Sequence, residues 1–404
     1  MYPILGPSIG YMLAEGYTLH LGVRLVMQGI NSWPLLAVPL FILVGIVATR
    51  TEIADRLYDA ALLLLGPLRA GLAYVNIAVS LGFSWMSGAS LADAAGIGSI
   101  EVNHMRKSGY PAEFSVGLSA SSALISPIMP PSIPAVVYAS VAAVSTGAMF
   151  AAAVIPAFIM TAALVVTVFI WSRRRPDLVG EPYSRSAVRR AVVRAIPPMG
   201  APVIILGGIL GGFFTPTEAA GIGAVYMLLL ALSYRTLRLP DIAAIFRDTA
   251  VITGQIMIII GASSLLGWIL AREQVPQLVA EGLLTLTDNP LVFLLIVNVL
   301  LLVLGMILEP TSALLIITPI LLPVAVEYGV DPVQLGSIII FNLMIGLLTP
   351  PMGGVVFVLS SVTGIPLERV FKGAAYYLPA MIAVLLLITY VPAITLWLPE
   401  VLGL

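Results

Sequence analysis

The chain has 404 residues, 60% of them hydrophobic and 10% charged, with a formal net charge of −1 and a mean hydropathy of +1.07. Soluble domains carry about a quarter charged residues, so a soluble fold is excluded; apolar segments near the ~20 residues that cross a bilayer recur from end to end, and a barrel would show short alternating segments instead. The absence of Cys excludes disulfides, thiolate catalysis and Cys-ligated metal, the charge balance points to no nucleic acid, and no basic n-region or cleavage site marks a signal peptide.

Met1 to Glu15 is apolar but short for a crossing, and reads as the remnant of a helix that began upstream. Residues 16–32, with His20 and Arg24, read as an interfacial segment. Trp33 to Thr49 is the first full crossing. Thr51 to Leu65 sets Glu52, Asp55, Arg56 and Asp59 against Ile53, Leu57, Ala60, Ala61 and Leu64. One polar and one apolar helical face predict a helix that lies on the membrane surface or docks a partner subunit. Ala70 to Val102 is apolar, flanked by Arg69 and by Arg106-Lys107, with Ser84-Trp-Met-Ser-Gly-Ala-Ser-Leu-Ala-Asp93 at its centre. About 16 residues on each side of Gly88 give helices of about 24 Å at 1.5 Å per residue. Basic residues at both ends place both ends in the cytoplasm. The span therefore predicts a re-entrant hairpin with its tip near mid-membrane; two short full crossings are the alternative.

Phe114 to Ala143 is a helix broken by Ser126-Pro-Ile-Met-Pro-Pro-Ser-Ile133. Three prolines in this stretch remove three backbone donors and bar helical geometry for the residues before them. In hydrocarbon such a break survives only where it is buried in protein or lines a cavity. Gly147 to Trp171 crosses back to a loop holding Arg173, Arg174, Arg175, Arg185, Arg189, Arg190 and Arg194, an arginine density that belongs in the cytoplasm. Ile196 to Phe214 and Ala219 to Tyr234 cross around Thr215-Pro-Thr-Glu218, which reads as a capping box. Arg235, Arg238 and Arg247 mark the cytoplasmic side again before Thr249 to Ala271 crosses. Pro290 to Val326 is a second interrupted span, broken at Leu308-Glu-Pro-Thr-Ser312 and flanked by Asp288, Glu327 and Asp331. A second broken helix, Gln334 to Val362, is interrupted at Leu347-Leu-Thr-Pro-Pro-Met-Gly-Gly354. A turn with Glu368, Arg369 and Lys372 and a last crossing to about Leu398 complete the chain.

The two halves match. Gly109 precedes Pro130 by the same 21 positions as Gly329 precedes Pro350, and Val75-Asn76 answers Val297-Asn298. Each half reads as crossing, surface segment, interrupted hairpin, broken helix, crossing. An odd number of crossings per half makes the copies point opposite ways, in keeping with basic flanks on the first hairpin and acidic ones on the second. The predicted fold is an all-α polytopic membrane protein of inverted repeats with re-entrant hairpins and broken helices, the signature of a secondary transporter. Its divisions are 1–32 (partial helix and interfacial segment), 33–172 (first repeat, hairpin 70–104, broken helix 114–147), 173–248 (Arg-rich loop and linking helix pair) and 249–404 (second repeat, hairpin 290–327, broken helix 332–362).

The candidate site follows from the breaks. Ser87, Gly88, Ser90 and Asp93 at the first tip face Ser126, Pro130 and Ser132, while Glu309, Thr311 and Ser312 at the second tip face Thr349, Pro350 and Gly353. Hydroxyls and freed carbonyls are hard neutral oxygens suited to a partly dehydrated Na⁺. Ser87, Gly88, Ser90, Ser126, Pro130, Glu309, Thr311, Thr349, Pro350 and Gly353 are the expected sodium positions; Ser90, Asp93, Ser132, Thr311 and Gly353 are the expected substrate positions. Ser90-Leu-Ala-Asp93 also fits a helix cap with an acidic first turn. Glu309 is a mid-membrane carboxylate and thereby a functional candidate, although Pro310 after it also fits a helix start. Asn76 and Asn298 read as interhelical hydrogen-bond partners, and His20 and His104 as interface residues.

The motifs together resemble the large membrane subunit of tripartite ATP-independent periplasmic (TRAP) transporters. The resemblance runs from about Asn31 to the C-terminus. It rests on Ser87-Gly-Ala-Ser-Leu-Ala-Asp93, Pro127-Ile-Met-Pro-Pro-Ser-Ile133, Gly212-Phe-Phe-Thr-Pro-Thr-Glu-Ala-Ala220, Glu309-Pro-Thr311 and Gly346-Leu-Leu-Thr-Pro-Pro-Met-Gly353, five motifs in order. It implies Na⁺-driven uptake of a small carboxylate across the inner membrane, with no organic cofactor, and elevator-type movement of the hairpin-bearing domain, that is, an elevator-type ion-transporter architecture. It also implies a periplasmic substrate-binding protein and a small TRAP membrane subunit as partners, besides the lipid bilayer. Where the family has a second Ser at the tip this chain has Ala89, with Ser90 beside it as a substitute. The family's first helix is longer than Met1 to Glu15. A stand-alone dicarboxylate carrier of the same architecture is the alternative. A membrane-embedded enzyme is disfavoured: there is no Cys, there are two peripheral His, and no carboxylates pair at helical spacing.

Overall fold

The computed structural model describes residues 2–180, 183–235, 237 and 239–404; Met1 and Arg238, used above, lie outside the described residues. Regular structure among the described residues is helical apart from one isolated bridge between Arg69 and Val179. Seven of these helices are long and apolar enough to cross a membrane, or up to nine spans if each of two bent pairs counts as one.

The chain opens with α1 (Tyr2–Ala14), α2 (Leu19–Ile30) and the crossing α3 (Ala37–Arg50). In α4 (Ile53–Leu65) the polar face lines a cavity with Arg190 and Arg194. Its apolar face is already taken: Ile53, Leu57 and Ala60 are buried against later parts of this chain. The docking expectation for this segment is thus corrected for Leu57, while Leu64 stays 52% exposed.

The first hairpin has one arm in α5 (Gly71–Ser87). The chain turns at Gly88 in the left-handed region (φ 63), where glycine alone is unstrained. It returns through α6 (Ser90–Asp93), a π-helical turn (Ala94–Gly98) and α7 (Ser99–Lys107). The arms lie antiparallel, for Asn76 bonds Glu101 across them. The first broken helix is α8 (Ala112–Ser122), α9 (Ile125–Ile128) and α10 (Ile133–Ala142), bent by 42°.

Then follow α11 (Thr146–Ser172), α12 (Arg185–Leu210), α13 (Pro216–Ser233), α14 (Leu239–Arg272) and α15 (Val275–Leu286). α12 begins eleven residues before the sequence reading placed it, at Arg185 instead of Ile196. Ser184 caps it, accepting from the Ala187 N–H at 3.3 Å, and the Arg- and Ala-rich start is made of strong helix formers. Arg185, Arg189, Arg190 and Arg194 are therefore helical rather than in a loop. The capping box at Thr215 and Glu218 opens α13 as expected.

The second hairpin is α16 (Pro290–Ile307) and α17 (Pro310–Glu327), its open end closed by Phe293 stacked on Tyr328 at 4.2 Å. The second broken helix is α18 (Pro332–Gly346) and α19 (Gly354–Thr363), followed by α20 (Leu367–Ala375), α21 (Leu378–Tyr390) and α22 (Ala393–Leu402).

Both broken helices start behind a left-handed glycine, Gly109 (φ 84) and Gly329 (φ 74), and both carry a cis Pro-Pro bond, at 130–131 and 350–351. They run in opposite directions. Tyr138, late in α10, donates its hydroxyl to the Pro332 carbonyl at the start of α18 (2.6 Å). On the other side Gly373, after α19, touches Gly117 early in α8, and Lys372 lies 3.9 Å from Glu113. Each broken helix therefore ends where the other begins. Their second halves are also exchanged between the hairpins: α10 packs on α17, and α19 packs on α6, the π turn and α7. One apolar core runs through this whole assembly, and a smaller one joins α3, α4, α5, α12 and α13.

Candidate functional site

The first tip meets the first break at the backbone. A Cβ on Gly88 would lie 2.7 Å from the Pro131 carbonyl oxygen, so only glycine allows this approach. Asp93, 7% exposed, pins the two elements together. Its Oδ1 accepts from the Ser87 hydroxyl on the tip, and its Oδ2 accepts from the Ser126 hydroxyl on the break. Each hydroxyl has committed its hydrogen to the carboxylate and keeps oxygen lone pairs for another partner. Ser132 turns its hydroxyl back to the Pro127 carbonyl and accepts from the Ala135 N–H at 3.2 Å, capping α10. Pro130 and Pro131 have no N–H to offer, so this surface is rich in acceptors.

Ser90 is the first residue of α6 and is buried, but the cap position is Ala89, with no side-chain capping bond. The cap reading of Ser90 to Asp93 is thus corrected: Asp93 reaches across to Ser87 and Ser126 instead of back to its own helix start.

At the second tip the carboxylate does the opposite. Glu309 caps α17, accepting from the Ser312 N–H (2.9 Å), the Ser312 hydroxyl (3.2 Å) and the Thr311 hydroxyl (2.9 Å). It is exposed, and a carboxylate at a helix N-terminus is favoured by the helix dipole. Break and hairpin join through the Met352 N–H and the Met306 carbonyl (3.2 Å). Thr349 is buried and donates to the Gly346 carbonyl at 2.9 Å. Gly353 is left-handed (φ 39) and packs against Phe371, whereas Pro350 is exposed. The side chains of Glu309, Thr311 and Ser312 bond among themselves, and the contact with the break is made by backbone.

Two buried polar networks lock the hairpins to the broken helices. Asn76 donates to Ser119 (2.6 Å) and Glu101 and accepts from Ser122 (2.8 Å). Asn298 accepts from Asn342 (2.7 Å) and donates to Thr389 (3.1 Å). Both asparagines are interhelical partners, as the sequence reading has them. Of the two histidines, His104 bonds Tyr58 (2.6 Å) and His20 is exposed. Glu101 is the functional candidate the sequence reading missed. The signal was present: an acidic residue inside an apolar span, opposite Asn76 once the hairpin is folded about Gly88.

The whole chain has known relatives. The family described as "Tripartite ATP-independent periplasmic transporter, DctM component" matches residues 3–394. The chain belongs to this family. One DctM-type relative is the sialic acid TRAP transporter large permease protein of Vibrio cholerae, 40% identical over 401 residues, covering 99% of this chain and 94% of that protein. Another is the C4-dicarboxylate TRAP transporter large permease protein of Pseudomonas aeruginosa, 38% identical over 374 residues, 92% of this chain and 88% of that protein. The YdaH transporter of Alcanivorax borkumensis shares the fold, with a TM-score of 0.60 at 15% identity over 92% of this chain and 88% of that one. As a member of the DctM family with seven helices of membrane-crossing length and apolarity among the described residues, the chain is a multi-pass inner-membrane protein.

Proposed function

We propose that this chain is the transport subunit of a sodium symporter that imports a small organic acid, handed over by a periplasmic binding protein, with a small membrane subunit alongside. The substrates in the names of its relatives, sialic acid and C4-dicarboxylates, are all carboxylates, which supports a carboxylate here. The observation that carries the reading is the junction of tip and break, made twice. Ser87 and Ser126 present oxygens whose hydrogens are held by Asp93, and Thr349 sits beside Gly353 at the mirrored junction. Neutral clustered oxygens bind Na⁺ without any group titrating. A substrate carboxylate between the junctions is drawn by the bound cations and by helix N-termini such as that of α10.

Ser90, Ser132, Thr311 and Gly353 are the substrate positions of this reading, with Asp93 holding the tip and the break together. The hairpins and broken helices, packed into one core, form the body that moves between the two sides. The test is uptake by the purified chain and its small subunit in vesicles, offered sialic acid or a C4-dicarboxylate with and without the binding protein. Uptake of one of these only with the binding protein is expected. Equal uptake without it supports a stand-alone carrier and overturns the delivery step.

A further inference from the structure

Behind the first tip lies a second polar chamber, on the side of the hairpin's open end. It is walled by Asp93 and Glu101, with Ser80 and Ser119 as the other oxygen-bearing residues and Phe83 and Ile97 closing it. The π turn makes this wall. At about 100° per residue, eight residues would leave two side chains about 80° apart on a regular helix. The turn at Ala94–Gly98 accommodates an extra residue and brings Asp93 and Glu101 close to one face.

Glu101 is 2% exposed. One carboxylate oxygen accepts from Asn76, and the other has no hydrogen-bond partner. Asp93 is satisfied only by hydroxyls. Neither carboxylate has an ion-pair partner among the described residues. Two carboxylates buried side by side in protein, one with an orphaned oxygen, call for neutralisation, by a bound cation or by a proton. The chamber leaves about 10 Å³ for an occupant's centre, the room of a single water. That is too little for Mg²⁺ with its retained waters, and the oxygen set falls short of the six to eight ligands of Ca²⁺.

We propose that this chamber binds one dehydrated monovalent cation, Na⁺, between Glu101 and Asp93, as a station distinct from the tip itself. The inference rests on the sodium-coupled reading above. Asp93 then serves both sides: its hydrogen bonds orient Ser87 and Ser126 toward the tip, and its charge faces the chamber.

Equilibrium binding of ²²Na⁺ to the purified full-length chain tests this. Glu101→Gln is expected to bind one Na⁺ fewer per chain than wild type, with the remaining affinity within about twofold. Ser80→Ala is expected to keep the count and weaken one class of site severalfold. Glu101→Gln also removes an uncompensated charge, so its melting temperature in Na⁺-free choline buffer should be at or above that of wild type, and its gain on adding Na⁺ smaller. If Glu101→Gln does not fold, Ser80→Ala alone decides, and binding identical to wild type overturns the proposal. An unchanged Na⁺ count in Glu101→Gln overturns it too and leaves the chamber to water or a proton. A wild type that binds no Na⁺ at all overturns the coupling reading first, a distinguishable result.

Discussion

Asp93 and Glu309 are the same residue class at equivalent tips, and their surroundings give them different work. Asp93 is buried and spans two elements, whereas Glu309 is exposed and serves its own helix. Replacing Ser126 by Ala removes a hydrogen bond to a buried carboxylate, worth about 1.5–3 kcal/mol. Tip and break lose register together, so the apparent Na⁺ affinity in uptake should fall about tenfold or more. Glu309→Gln keeps an acceptor at the cap position and should leave that affinity within about twofold. Equal losses in the two variants would contradict the division of roles. Much of this was legible at the sequence level: Ser87, Asp93 and Ser126 were flagged by the hairpin and the proline break. Which oxygen bonds which was not, because a local cap and a cross-element bond use the same residues and differ only in where the break folds back. Glu101 was overlooked because it sits one turn before the basic end of the span, where an acidic residue passes for an interfacial one.

At the scale of elements, close backbone contacts carry the crossing of the two repeats. A Cβ on Gly117 would lie 2.3 Å from the Gly373 carbonyl carbon. Gly→Ala inside a helix ordinarily stabilises by about 1 kcal/mol. Here Gly117→Ala should instead destabilise by ~1–3 kcal/mol through overpacking, read as a lower melting temperature in detergent. A higher one would mean that α8 and α20 do not touch there.

The amphipathic helix α4 shows where periodicity misleads. Its apolar face was legible, but what covers it is α5, the helix that follows it, together with α12, which lies far away in sequence. Leu57→Asp should therefore unfold or abolish expression of the chain, since it buries a charge without a partner. Leu64→Asp, on an exposed position, should leave the chain folded and weaken only the small subunit's co-purification. The proline breaks were the most readable elements, because proline chemistry is local. The early start of α12 was not, because an arginine-rich segment is equally a cytoplasmic loop by charge and a helix by propensity.

At the scale of the whole molecule, the opposed broken helices and the exchanged second halves require the two hairpins to open toward opposite faces. Arg69 donates to the Arg173 and Arg175 carbonyls (3.0 and 3.2 Å), tying the base of the first hairpin to the arginine-rich segment. Single cysteines placed at 69 and at 288 in this Cys-free chain should label from opposite sides, 69 from the cytoplasm; labelling of both from one side contradicts the inverted arrangement. The central claim, that neutral oxygens at two junctions couple Na⁺ to carboxylate import, is tested most directly by uptake into proteoliposomes of the reconstituted chain with its partners under separately imposed Na⁺ and H⁺ gradients. Accumulation on an inward Na⁺ gradient at equal pH is predicted, with none on a proton gradient in sodium-free buffer; full accumulation on the proton gradient alone would contradict it.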